Sequence, residues 1–128
     1  MKATTKNWLD FAQADLMNCE KIKDESFLTN IVAYHSQQAV EKAFKAIIEE
    51  KGMTIPRVHS LQRLYDIVKQ FINTEIDTSE LALLDNVYTS MRYPGEIGMI
   101  ETGKPSKKEA GDLFEIAKRI YKVVLQTI

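Results

Sequence analysis

The chain has 128 residues, with 17 Lys and Arg against 18 Asp and Glu and a net charge of −1. That length makes one domain, residues 1–128, with a core of its own, and the near-neutral charge excludes a global pull toward nucleic acid or membrane. One cysteine, Cys19, excludes an internal disulfide, and no run approaches the ~20 apolar residues of a membrane span or a leader segment, so the expectation is a cytoplasmic protein with no membrane contact.

Residues 5 to 23 predict a first helix, with Trp8, Leu9, Ala12, Leu16 and Cys19 on one stripe and Ile22 at its edge. Thr4 or Thr5 is placed to cap it. Asp15 falls at the edge of the stripe. It reads either as a site carboxylate or as an edge aspartate bonded to a neighbouring helix. The polar break Lys23-Asp24-Glu25-Ser26 follows, with Ser26 positioned to cap the next element.

The stretch from about Phe27 to Lys51 predicts the central helix. It holds no Pro or Gly and is rich in Ala, Lys and Glu, which lose little entropy in a helix. At about 100° per residue, Ala33, Ser36, Val40, Ala43, Phe44 and Ile47 share one face, a core stripe. The opposite face carries Tyr34, Gln38, Glu41, Lys42 and Lys45, with His35 at its border. Gln38, Glu41 and Lys42 concentrate hydrogen-bonding capacity there. Such a face is either solvated, lines a cleft or meets a second chain. Lys51-Gly52 ends the helix.

His59-Ser60 opens a third helix, with Leu61, Leu64, Tyr65, Val68, Phe71 and Ile72 inward. A fourth runs from about Ser79 to Arg92, with Asp77, Thr78 or Ser79 as cap and Leu81, Leu84, Tyr88 and Met91 inward. Residues 93 to 105 hold three Gly and two Pro, which forbid a regular element across them. Ser106 and Glu109 form a capping box that starts the last helix, with Ala110, Leu113, Ala117, Ile120, Tyr121, Val124 and Ile128 inward. No segment sustains strand alternation. The expected fold is all-α, an up-and-down antiparallel bundle of four or five helices.

The chemistry open to these residues is narrow. Two His and one Cys offer no metal-ligand spacing, and Val32 and Pro56 stand where a Glu-x-x-His pair needs carboxylates, so no metal and no cofactor is expected. There is no phosphate-cradling Gly loop. His59, at a helix start, suits a cap, a partner for a carboxylate, or a general acid or base. His35 suits an interface or a partly buried imidazole. Arg92-Tyr93-Pro94-Gly95 is the sharpest local signal. A guanidinium in the last turn of a helix and at the mouth of a long loop can clamp a phosphate or pair with Glu41.

Taken together, Ala14-Asp15-Leu16, the run His35-Ser36-Gln37-Gln38-Ala39-Val40-Glu41-Lys42-Ala43-Phe44, His59-Ser60-Leu61 and Arg92-Tyr93-Pro94 resemble the HEPN domain family, named for higher eukaryotes and prokaryotes nucleotide-binding. The resemblance covers nearly the whole chain. It implies a helical bundle that forms a homodimer and, in many members, a minimal nucleotidyltransferase partner in a toxin–antitoxin pair. Other members are metal-independent ribonucleases that share an Arg, four to six further residues, and a His. Arg92 matches that Arg, but positions 97 to 99 are Ile97, Gly98 and Met99, so the His is missing. The expectation is therefore a non-catalytic, dimeric module that binds a nucleotide or an RNA phosphate. Its ligand residues are Arg92, Gln38, Glu41, Lys42 and Tyr93, and its dimer contacts are Tyr34, Gln38 and Lys42. One alternative is a ribonuclease that uses Arg92 with His59 or His35. The other is a purely structural dimerisation module.

Overall fold

The structure, a computed structural model, describes the backbone of residues 1–92 and 104–128 and the side chains of residues 1–87 and 104–128. Five α-helices account for most of it: α1 Ala3–Ile22, α2 Thr29–Glu50, α3 Leu61–Val68, α4 Thr78–Arg92 and α5 Lys107–Thr127. Short 3-10 turns at Ser26–Leu28 and Lys69–Phe71 precede α2 and follow α3. No strand occurs among the described residues. The chain is an all-α helical bundle.

Helix α2 is its axis and packs against each of the other four helices. The expected stripe of Ala33, Ser36, Val40, Ala43, Phe44 and Ile47 is wholly buried. The small residues in it let α1 lie close, and α1 runs antiparallel to α2. Thr4 and Thr5 near the start of α1 bond Glu49 and Glu50, while Cys19 near its end meets the Val32 carbonyl. Burial pushes the Cys19 thiol up to about 11, so it stays protonated in the core.

The helix ends follow local chemistry in some places and long-range contacts in others. Ser106 accepts from the Glu109 amide while Glu109 accepts from the Ser106 amide, the reciprocal box expected for α5. Gly52, at φ 70°, closes α2 with bonds from the Met53 amide to the Ile48 carbonyl and from its own amide to that of Glu49. A side chain at that φ is strained, which is why glycine serves there. Asp77 accepts from the backbone and hydroxyl of Ser79 at the start of α4. Neither Thr4 nor Thr5 caps α1, because the helix begins earlier, at Ala3, and both hydroxyls donate to α2 carboxylates instead. Ser26 does not cap α2 either, because a 3-10 turn intervenes before Thr29.

One expectation needs a larger correction. The face with Glu41 and Lys45 is not an outward one, since both residues are buried, with Glu41 at 5% exposure. The chain after Gly52 returns along α2 and brings His59 over Glu41, while Trp8 of α1 lies beside Lys45. Gln37, one turn before Glu41, is fully buried as well. Tyr34, Gln38 and Lys42 remain half-buried.

Candidate functional site

The polar groups of α2 are organised around two carboxylates. The first is Glu41. Its Oε2 accepts from Lys45 Nζ at 3.0 Å, one turn on along the same helix. Its Oε1 lies 3.1 Å from His59 Nδ1 and 3.5 Å from Gln37 Nε2. Gln37 Nε2 also donates to the His59 carbonyl at 2.9 Å, and Gln37 Oε1 accepts from Gln38 Nε2 at 2.8 Å. His59 is thus gripped twice, through its ring by Glu41 and through its backbone by Gln37. A carboxylate has only lone pairs to offer, so the ring nitrogen facing Glu41 is the one that carries a proton. The imidazole itself is well exposed, at 58%, while the Lys45 that balances Glu41 is not, at 9%.

The second carboxylate is Asp15 of α1. Its side chain is buried against α2, where His35 Nδ1 lies 2.8 Å from Oδ1 and Lys42 Nζ donates to Oδ2 at 2.7 Å. Of the two readings of Asp15, the structure gives the contact to a neighbouring helix. The ammonium of Lys42 also stands 5.9 Å from the ring of Phe11, an exposed residue one turn earlier on α1. Tyr34 meets His35 edge-on, with ring centres 5.3 Å apart.

Helix α4 approaches from the other side. Asp85 accepts from the Ser60 hydroxyl at 3.2 Å, from the Leu61 amide at 2.8 Å and from the Gln62 amide at 3.3 Å. Ser60 in turn accepts from the Arg63 amide. An acidic group from another helix therefore stabilises the positive end of α3, next to His59. Arg92 is the last residue of α4, about two turns and roughly 10 Å beyond Asp85. Its side chain, and all of Tyr93, lie outside the described residues.

Of the residues expected at a site, the structure brings Gln38, Glu41 and His59 into one network and places Lys42 with His35 in another. Both carboxylate oxygens of Glu41 are engaged by neighbours, Oε2 by Lys45 and Oε1 by His59. Gln37 and Asp85 are new to the picture, and Lys45, expected on the polar face, is the buried partner of Glu41. Gln37 sits in the same Gln-Gln run as Gln38, but nothing local marks it as the buried member of the pair. Among the described residues, no group of three or more His, Cys, Asp or Glu is placed to hold a metal ion. No described helix is long and apolar enough to cross a membrane.

The sequence matches the family model for the HEPN domain over residues 5–127. No curated protein matches it. Among solved structures, TT1696 from Thermus thermophilus superposes with a TM-score of 0.87 at 20% identity, over 99% of this chain and 100% of its own. ST0689, described as an archaeal HEPN homologue, superposes with a TM-score of 0.71 at 26% identity over 100% of both chains. The likeness to TT1696, at its level of identity, is one of fold.

Proposed function

The chain belongs to the HEPN domain family, and from that premise we propose that it is a homodimeric module that binds a nucleotide or an RNA phosphate without cleaving it, alongside a minimal nucleotidyltransferase in the manner of a toxin–antitoxin pair. The observation that carries the reading is the sequence after Arg92. Ile97, Gly98 and Met99 stand where the ribonuclease members keep their His, so the group that would move a proton is missing from its expected place. In this reading Arg92 supplies the phosphate contact, with Tyr93 next to it in sequence and Gln38 and Lys42 of α2 as further donors. Glu41 contributes by holding His59. The half-buried face at Tyr34, Gln38 and Lys42 is the contact between the two copies.

A second reading, a metal-independent ribonuclease, draws on one specific feature. The Glu41–His59 pair fixes an exposed imidazole with its protonated nitrogen inward, the arrangement a general base requires. Incubation of the protein with labelled mixed RNA in EDTA separates the two. The binding reading expects intact RNA, a gel shift that weakens in Arg92→Ala, and a dimer by light scattering. Cleavage that disappears in both Arg92→Ala and His59→Ala establishes the ribonuclease and ends the binding reading. A dimer that neither shifts nor cleaves RNA, and binds no nucleotide, leaves a purely structural module.

A further inference from the structure

Helices α1 and α5 run antiparallel and leave a channel between them. Tyr121, late in α5, donates to the Leu9 carbonyl at 3.4 Å, while Glu20, late in α1, lines the channel with Lys118. Two hollows of about 360 Å³ each meet there at Phe114. The floor is buried, formed by Leu16 and Phe114. The walls are Met17 of α1, 57% exposed, and Leu125 of α5, 46% exposed. This is not the face proposed as the contact between copies. Met17 lies about 200° further round α1 than Asp15, so it points away from the side on which Asp15 bonds His35 and Lys42. Gly111 stands in the second turn of α5, beside the second hollow. Glycine is a poor helix former, and neither internal reason for one applies here. Among the described residues only Gly52 has a positive φ, and a Cβ on Gly111 meets nothing within 4 Å. The space left open suits the close approach of another helix.

The charge around the channel says what that helix carries. Lys23, Lys108 and Lys118 are already paired, with Glu20 at 3.1 Å, Asp112 at 2.9 Å and Glu115 at 2.7 Å. Among the described residues Lys107 and Lys122 have no ion pair, and of the acids lining the channel only Asp24 has none. The surplus is therefore cationic. It sits toward the two ends of the channel, since Lys107 and Lys122 are about 22 Å apart along α5. The complement is a helix of about four turns, apolar along one side to cover Met17 and Leu125, with a carboxylate near each end. We infer that the channel between α1 and α5 docks such an acidic amphipathic helix, supplied by the nucleotidyltransferase partner. This inference rests on the partner reading above and names the surface that the partner meets. Two copies joined through Tyr34, Gln38 and Lys42 each keep their channel open, so the second copy and the partner do not compete.

The test is titration calorimetry of the full chain with the purified minimal nucleotidyltransferase of the same organism, beside light scattering and thermal unfolding of each variant. Wild type should bind it, more weakly as salt is raised. Gly111→Leu fills the open space with a good helix former. It should raise the Tm of the free chain by about 3 °C and yet weaken the partner about tenfold, two shifts that a purely structural role does not combine. Lys122→Glu should weaken binding about tenfold and flatten its salt dependence. Met17→Glu, at an exposed position, should abolish binding without loss of fold. All three variants should keep the oligomeric state of the wild type. A partner that binds wild type and the three variants alike overturns the inference and leaves the partner reading intact. Wild-type protein that associates beyond a dimer, and stops doing so in Met17→Glu, also overturns it, because a second copy then fills the channel. A nucleotidyltransferase that does not bind wild type removes the partner reading, and this inference with it.

Discussion

Helix α2 carries two clusters made of the same three groups, a carboxylate, a lysine and an imidazole, arranged in opposite ways. In the Glu41 cluster the ion pair closes within one helix, from Glu41 to Lys45, and is buried. The imidazole arrives from the distant residue His59 and stays exposed. In the Asp15 cluster the carboxylate comes from α1 and both partners come from α2, and His35 and Lys42 are covered to a similar, partial degree. The first cluster is a closed charge pair with a histidine laid over it. The second is a bond between helices whose partners both reach water. Burial of the lysine is what separates them: a cation that cannot reach solvent depends on its one anion, whereas a cation at the surface does not.

That contrast orders the expected effects of substitution, all measured by urea unfolding. Glu41→Ala leaves Lys45 buried without its anion and should cost about 3 kcal/mol or more. Asp15→Ala releases two partners that can turn to water, so it should cost less, about 2 kcal/mol. Equal losses in the two variants would erase the distinction. Asp85→Ala removes the acceptor at the start of α3 and should cost about 1 kcal/mol. It also tests whether α4 steadies the segment that presents His59, because a broadened His59 ring signal should accompany the loss. His59→Ala should have the smallest effect, below about 1 kcal/mol, since an exposed imidazole contributes little to a pair that Lys45 already satisfies. A larger loss there would mean that His59, rather than Lys45, is the principal partner of Glu41.

What could be read from the sequence divides along the same line. Features whose causes lie within one turn of helix were legible: the core stripe from Ala33 to Ile47, the Ser106–Glu109 box, the glycine stop at Gly52. The central role of α2 was legible as well, from its length and its small residues. The burial of Glu41 and Lys45 was not. Two charged residues one turn apart look like an exposed pair until Trp8 and His59 are known to cover them, and those residues stand 33 and 18 positions from Glu41 in sequence. Asp85 was invisible as a cap for the same reason, because the amides it serves belong to another helix. For Asp15 the sequence allowed two roles, and its partners on α2 decided in favour of the contact between helices.

The position of α2 has a consequence for how this chain tolerates change. Fourteen of its 22 residues are buried, including polar ones, whereas the buried residues of α5 are seven of 21. A saturation scan should therefore record two different signatures. Along α5, tolerance should rise and fall with the helical repeat, as it does for any helix with an outer side. Along α2 tolerance should narrow to the half-buried positions Tyr34, His35, Gln38 and Lys42 and disappear from Ala43 to Ile48, and at Gln37, Glu41 and Lys45 apolar replacements should fare as poorly as at core positions polar ones do. Neutral drift would then accumulate on the outer helices and leave this one segment almost fixed.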